Sequence, residues 1–237
     1  MNPSGGLLWH WRAWQSRSLW KTTCTQIEDW LLAQNINSTE LVIIGASAGW
    51  MLPSLWLQHF KKITTYDIDP LAAHLFKIRH GTTLKINNCS LICHTADAMS
   101  QLSQLLNSHP KAFFWFDNVL GQLRFHTSDE SDLEIVNVKI NALKLIMKGK
   151  QWGSIHDLYS GQVRRQSSLH IPKAESAVIK SKSCSKKAFN NLTLLNPEGP
   201  WLDHLCEDVF NKDQLVHYFT WPYRKNYWHV LQAGWIS

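Results

Sequence analysis

Short, uninterrupted apolar runs alternate with amphipathic segments along the first two thirds of this 237-residue chain. Each run is followed by a turn signal and then by apolar residues at helical spacing. The runs predict five strands, at 41–44, 63–66, 90–94, 112–116 and 152–156. Strands that are apolar throughout are typical of a parallel sheet covered by helices on both faces. The pattern therefore predicts a doubly wound α/β domain.

Capping residues and apolar spacing predict the helices between these strands. Asp69 as N-cap and Pro70 as first helical residue begin one helix, and we expect it to end at Gly81. Further helices are predicted over 50–60, 98–106, 132–148 and 200–210. Near the C-terminus, 217–221 and 227–236 predict two strands joined by a turn at 222–225, an antiparallel hairpin at the sheet edge.

Two segments lie outside this alternation. Residues 1–37 carry several tryptophans on predicted helices, and we expect an N-terminal helical extension before a domain spanning 38–237. Residues 158–190 are polar and turn-rich, which predicts an insertion in that domain. Its basic residues are Arg164, Arg165, Lys173, Lys180, Lys182, Lys186 and Lys187. This local charge predicts an anionic partner such as RNA, and a solvated loop explains it equally well.

The composition excludes several classes of protein. With 44% apolar and 18% charged residues the chain is too apolar for a disordered protein. No run approaches the roughly 20 apolar residues of a membrane span, and no secretory signal is evident. The five cysteines are scattered, which is typical of a reducing compartment, and Cys89, Cys93 and His94 lack further ligands at metal spacing. We therefore expect a cytoplasmic protein with no membrane association and no metal site.

The carboxyl ends of the predicted strands hold the candidate ligand-binding residues, because ligands of open α/β sheets bind beyond these ends. Small residues at 45–49 let a ligand approach the backbone, and Asp67 lies 22 residues after Gly45, where a carboxylate can bind a ribose diol. Ser47 and Trp50 replace two of the three glycines of the dinucleotide fingerprint, so a nicotinamide-dependent oxidoreductase is disfavoured. The candidates are Gly45, Ala46, Ser47, Gly49, Asp67, Ile68, Asp97, Ala98, Asp117 and Asn118.

Five ordered motifs resemble those of class I S-adenosylmethionine-dependent methyltransferases. They are LVIIGASAG, TYDIDP, TADA, FFWFDNVLG and SIHDL, and YWHVLQAGW follows them in the predicted hairpin. The resemblance implies a Rossmann-like methyltransferase sheet with an antiparallel C-terminal edge strand, and S-adenosylmethionine as cofactor. It implies that loop 45–49 passes under the methionine part of the cofactor and that Asp67 binds the ribose hydroxyls. It also implies that Asp97 faces the adenine amino group and that Asp117 and Asn118 border the methionine part and the acceptor.

The chain departs from this family pattern at two positions. Ser47 stands where the family usually has a glycine, and Asn118 lacks the Pro-Pro-aromatic sequence of enzymes that methylate exocyclic amines or amide nitrogens. The second departure disfavours that class of acceptor. Asp97 has a second interpretation, as the N-cap of the next helix.

Residues beyond the fifth strand are the candidates for catalysis. Histidine is the side chain that ordinarily titrates near neutral pH, and His156 precedes Asp157, although neighbours on a strand point to opposite faces. Tyr159 is the third candidate. Transfer of a methyl group from a sulfonium depends on alignment more than on a dedicated base. The sequence thus predicts a methyltransferase with an unidentified acceptor. The alternative is a catalytically inactive relative used for binding or scaffolding, with or without nucleic acid.

Overall fold

The computed structural model describes residues 6–126, 132–164, 171–180, 183–192 and 197–236. These residues form one nine-stranded sheet with helices on both faces. The strands are β1 (Glu40–Ile44), β2 (Lys62–Asp67), β3 (Ser90–Thr95), β4 (Phe113–Asp117), β5 (Trp152–Val163), β6 (Glu175–Val178), β7 (Pro197–Asp203), β8 (Leu215–Arg224) and β9 (Tyr227–Ile236). The helices are α1 (Leu7–Leu32), α2 (Ser54–Leu57), α3 (Pro70–Ile86), α4 (Leu102–Ser108), α5 (Asp132–Ile146) and α6 (Ser183–Leu192). Two 3-10 turns span Leu120–His126 and Glu207–Val209.

The strand order is β3-β2-β1-β4-β5-β9-β8-β6, and β7 pairs with β5 outside this path. The first five strands are parallel, whereas β9 is antiparallel to β5 and β8 is antiparallel to β9. The order reverses between β1 and β4, so the ligand crevice of this sheet lies beyond their carboxyl ends. The predicted doubly wound, mostly parallel sheet, with its C-terminal antiparallel hairpin, is confirmed.

Alternate residues of each central strand build two cores. Leu41 and Ile43 pack in the core under α1, α2 and α3, and Val42 and Ile44 pack in the core under α4 and α5. This division follows from the two-residue period of a strand, and it explains why β1 has to be apolar throughout.

Helix α1 packs on one face of the sheet, against strand β8. Trp20 and Trp30 are buried, with the Trp20 ring 5.0 Å from Trp221 and the Trp30 ring 5.9 Å from Phe219. Trp11 and Trp14 stack on each other in an exposed position instead. None of the helices in the described part of the chain is long and apolar enough to cross a membrane.

Two of the predicted helices have different lengths in the structure. The helix predicted over 50–60 is the single turn α2, because Pro53 restricts the preceding residue to extended conformations. Helix α3 begins at Asp69 as predicted but continues through Gly81 to Ile86. Glycine lowers helix stability by only about 1 kcal/mol, and burial of His80 and Leu84 on either side of Gly81 outweighs this cost.

The secondary structure predicted for the residues after 156 differs most from the structure. Strand β5 does not end at His156 but runs on to Val163, so the segment predicted as an insertion begins inside a strand. The helix predicted over 200–210 is wrong, because this segment contains the end of β7, where Leu202 pairs with Ser160, and one 3-10 turn. In the hairpin, Pro222 lies inside β8 and the turn falls at residues 225–226. Long-range pairing decided each of these elements.

Candidate active site

The turn after β1 has a backbone shape that requires glycine at its two ends. Gly45, Ser47 and Gly49 have φ angles of 75°, 47° and 61°. A Cβ atom on Gly45 would lie 2.0 Å from Cγ2 of Val119, and one on Gly49 would lie 2.7 Å from Nε2 of His80. The loop 45–49 therefore packs so closely on its surroundings that only backbone fits at its two glycines.

Asp67 fastens this loop to the end of β2. One carboxylate oxygen accepts a hydrogen bond from the Ser47 amide at 2.7 Å, and the other accepts one from the Asp69 amide at 2.8 Å. Burial raises the pKa of Asp67, against the effect of these two hydrogen bonds. Each carboxylate oxygen keeps a lone pair for a further donor, such as a ligand hydroxyl. Ile68 follows with a side chain that is 54% exposed.

Asp69 anchors the start of α1 over the same strand end. Its carboxylate caps α3 at the Leu71 amide and accepts a 2.6 Å hydrogen bond from the Gly6 amide, and it lies 3.0 Å from Nε2 of His10. Burial opposes ionisation, but these contacts outweigh it and lower the pKa of Asp69. Trp9 donates from Nε1 to the Ser47 hydroxyl at 3.1 Å. The first turn of α1 thus lies beside loop 45–49.

Asp117 lies partly exposed at the end of β4. None of the described residues donates a hydrogen bond to its carboxylate, and the charge that acts on it is the like charge of Asp67. Burial, and then Asp67, raise the pKa of Asp117 to about 8. Two neighbouring carboxylates, of which one has no hydrogen-bond donor among the described residues, form a site suited to a cationic ligand.

Asn118 connects the ends of β4 and β5. Its side chain accepts from the Asp157 amide at 2.8 Å and donates to the Asp157 carboxylate at 2.9 Å. Asn118 has a φ angle of 57°, and a Cβ atom on Gly121 would lie 2.7 Å from the Asp157 nitrogen. The chain after β4 is therefore closely fitted to Asp157.

Asp97 and Ala98 occupy the turn before α4. The exposed Asp97 carboxylate accepts from the Met99 amide at 3.0 Å and the Ser100 amide at 3.3 Å, and Ala98 is buried. Asp97 thus caps the turn that precedes α4, whereas the N-cap of α4 is Gln101, so the interpretation of Asp97 as a helix N-cap is wrong. A role toward adenine stays a prediction.

The three predicted catalytic residues are not brought together. His156 is fully buried, its ring nitrogens lie 3.0 Å from the Ser154 hydroxyl and 3.2 Å from the Gln232 amide oxygen, and burial lowers its pKa to about 4. Tyr159 is half-buried against Phe189, and burial raises its pKa. The structure therefore places His156 inside the core, away from the crevice, because strand alternation directs it opposite to Asp157. Among these three, Asp157 alone contacts Asn118.

His229 on β9 is a site residue that sequence reasoning missed. Its Nδ1 donates to the Asp157 carboxylate at 2.8 Å, and its Nε2 is buried without a partner among the described residues. Burial disfavours the Asp157 carboxylate, but His229 outweighs this and lowers the pKa of Asp157 to about 2. His204, after β7, lies in the same cluster. The one sequence signal was a histidine within the apolar hairpin motif, and antiparallel register alone places it opposite Ser160.

Aromatic rings connect loop 45–49 with His229. The Trp9 ring stacks on Tyr223 at 5.8 Å, and Tyr223 lies 5.2 Å from the His229 ring. Trp221 and Tyr227 lie 4.9 and 5.5 Å from the same histidine. We call Trp9, Trp221, Tyr223 and Tyr227 the aromatic wall. It extends from the start of α1 to the C-terminal hairpin.

The basic residues of 158–190 are distributed over several elements. Those described, Arg164, Lys173, Lys180, Lys186 and Lys187, are exposed. Arg165 and Lys182 lie outside the described residues. An anionic partner at this segment stays a prediction.

Comparison with known proteins finds similarity in structure but not in sequence. No family model and no curated protein matches the chain. Magnesium protoporphyrin IX methyltransferase from Synechocystis PCC 6803, solved with S-adenosylmethionine, has a TM-score of 0.45 at 13% identity, over 98% of this chain and 86% of that chain. An N-methyltransferase from Bradyrhizobium japonicum WM9, solved with S-adenosyl-L-homocysteine, has a TM-score of 0.41 at 11% identity, over 90% and 86%. Geranyl diphosphate C-methyltransferase from Streptomyces coelicolor A3(2) has a TM-score of 0.40 at 12% identity, over 90% and 76%. All three are named as methyltransferases, and the likeness to them is one of structure at 11–13% sequence identity.

Proposed function

We propose that this protein is an S-adenosylmethionine-dependent methyltransferase whose cofactor lies over loop 45–49. The observation that carries the proposal is the Asp117 carboxylate, which has no hydrogen-bond donor among the described residues and lies beside Asp67 where the strand order reverses. S-adenosylmethionine carries a sulfonium and an ammonium group, and positive charge next to two carboxylates is stabilised electrostatically. When bound, the cofactor supplies a methyl group that its sulfonium makes electrophilic.

The residues around this pair fit the remaining parts of such a ligand. Asp67 offers lone pairs to a ribose diol, and the exposed Ile68 offers an apolar surface to a flat base. We infer that an acceptor would enter beside Asn118 and Asp157, because Asp157 contacts His229, which packs against the aromatic wall. These residues would contribute by orienting the two reactants and excluding water, which accounts for much of the rate of a displacement reaction.

A second function, binding without methyl transfer, is supported by Ser47. This residue holds a positive φ angle, and its hydroxyl accepts a hydrogen bond from Trp9, so loop and helix form a contact of their own. A nucleoside-binding protein would keep the site at Asp67 and lack transfer to any acceptor.

Calorimetry with S-adenosylmethionine and S-adenosylhomocysteine tests the shared part of both functions. We expect saturable binding by the full chain, and a loss of about 10-fold to 100-fold in affinity for Asp67→Ala, since hydrogen bonds to a charged group contribute about 1.5–3 kcal/mol. Asp29→Asn, at an exposed residue of α1, is the control and should bind normally. Absence of binding by the unmodified chain would refute both functions.

Transfer of a labelled methyl group then separates the two functions. The protein is incubated with methyl-labelled S-adenosylmethionine and a fractionated extract, and label is followed in small molecules, protein and nucleic acid. If the unmodified chain transfers label to any fraction and Asp67→Ala does not, the result supports the methyltransferase. Binding without transfer to any of the fractions supports the binding protein instead.

A further inference from the structure

Three side chains with metal-binding chemistry meet beside the proposed acceptor side. They are Asp157 on β5, His204 after β7 and His229 on β9, and we call them the His–Asp cluster. One carboxylate oxygen and one ring nitrogen of each histidine lie within 4.8 Å of one another, and within the described ranges no second group of three such residues is found. Asp157 and His204 are 4% and 1% exposed, and the His229 side chain is 12% exposed.

Hydrogen bonds orient His204 and Asp157 in the way that is usual for metal ligands. His204 donates from Nδ1 to the Gly121 carbonyl at 2.7 Å, which leaves the lone pair on Nε2, 2.9 Å from the Ser160 hydroxyl. Asp157 is held through its second oxygen by the Asn118 amide. Histidines that bind metals usually donate their other ring N–H to a carbonyl or carboxylate, and ligating carboxylates are likewise held by hydrogen bonds.

One of the two ring nitrogens of His229 has no hydrogen-bond partner among the described residues. Its Nδ1 contacts Asp157, and its Nε2 is buried with no partner among the described residues. A buried polar atom left without a partner costs about 1–3 kcal/mol. His229 therefore has a ring nitrogen whose lone pair no described residue uses and that can bind an ion.

We propose that the His–Asp cluster binds a divalent first-row transition-metal ion. Two imidazoles and one carboxylate are a donor set typical of zinc, and of iron(II), in sites that keep an open coordination position. Ligands held at roughly 2.1 Å from a tetrahedral ion lie roughly 3.4 Å apart, so small side-chain rotations suffice to close the cluster. An ion here would join β5, β9 and the segment after β7. The inference is independent of the proposed function, because loop 45–49 and Asp67 take no part in it.

Metal titration of the untagged full chain tests this proposal directly. After chelator treatment we expect about one equivalent of Zn²⁺ or Co²⁺ to bind, with visible absorption bands for the cobalt form. His204→Gln and His229→Gln should each weaken Zn²⁺ binding on the order of 100-fold or more. His74→Gln, at an exposed histidine of α3, is the control and should bind as the unmodified chain does.

A ligand exchange keeps the proposal falsifiable if the glutamine variants fail to fold. In the His229→Cys variant, a cobalt-bound thiolate would add a charge-transfer band, and His74→Cys would not. Sub-stoichiometric binding by the unmodified chain, or an unchanged cobalt spectrum in folded His229→Cys, would overturn the proposal.

Discussion

The strand-end site consists of loop 45–49, Asp67 and Asp117. This site and the His–Asp cluster lie at the same end of one sheet but are assembled in different ways. At the strand-end site, Asp67 binds backbone amides that are 20 and 2 residues away along the chain. In the cluster, Asp157 binds a side chain 72 residues away, and His204 binds a carbonyl 83 residues away. The first region depends on contacts between residues near in the chain and leaves Asp117 without a donor among the described residues, whereas the second depends on contacts between residues distant in the chain and is buried. Parallel strand ends thus form an open ligand site, and the antiparallel hairpin adds a buried polar cluster beside it.

The largest expected effect concerns the backbone of the strand-end site. Gly45→Ala would force a non-glycine residue into a φ angle of 75° and place Cβ 2.0 Å from Val119. We expect a loss of about 3 kcal/mol in the free energy of unfolding, from backbone strain and overpacking together. Urea denaturation measures it.

Gly149→Ala separates these two causes. Gly149 has a φ angle of 74°, and a Cβ atom added there would meet no atom within 4 Å. Strain alone therefore acts, and we expect a loss of about 1 kcal/mol in the free energy of unfolding. Equal losses in Gly45→Ala and Gly149→Ala would show that close packing of loop 45–49 contributes nothing.

A smaller effect is expected where the cluster contacts the chain after β4. A methyl group on Gly121 would lie 2.7 Å from the Asp157 nitrogen and 3.0 Å from the Asn118 side-chain oxygen. We expect Gly121→Ala to lower stability by about 2 kcal/mol through overpacking. In Gly81→Ala, where the nearest atom lies 3.9 Å away within a helix, we expect a gain of about 0.5–1 kcal/mol. Denaturation midpoints compare the two, and a tolerated Gly121→Ala would mean that the closed region is as adaptable as the open one.

The last expected effect is a gain in stability, and it depends on pH. Because the native pKa of Asp117 is raised to about 8, the folded state keeps a proton that the unfolded state loses near its ordinary pKa of about 3.9. Stability therefore falls as pH rises between these two values. Asp117→Asn removes this loss. Because the partly exposed carboxyl is screened by solvent, we expect a gain on the order of 1 kcal/mol at pH 7 and little change at pH 4.

Unfolding curves across this pH range check the Asp117 prediction, with the exposed Asp29→Asn as control. Under the proposed function, the same Asp117→Asn change weakens binding of S-adenosylmethionine, since a cationic ligand favours the ionised form of Asp117 and an asparagine cannot ionise. A variant that gains stability and binds more tightly would contradict that assignment.

Local sequence signals predicted most of the strand-end site. Asp69 and Pro70 indicated the start of α3, and Gly45, Asp67 and Asp117 were placed correctly at strand ends, because a strand followed by a turn is a local pattern. The helix predicted over 200–210 failed for the opposite reason. Its residues pair with β5 across about forty residues of chain, and local spacing does not encode such pairing.

The sequence by itself determined the five parallel strands, the order of polar residues that follow them and the antiparallel hairpin at the C-terminus. Tertiary structure alone decided that β5 runs to Val163, that His156 points into the core, and that His204 and His229 meet Asp157. The physical reason is that apolar periodicity is set within a few residues, whereas the register between distant strands depends on packing of the whole sheet. A shift of one residue in that register would turn His229 to the opposite face of β9.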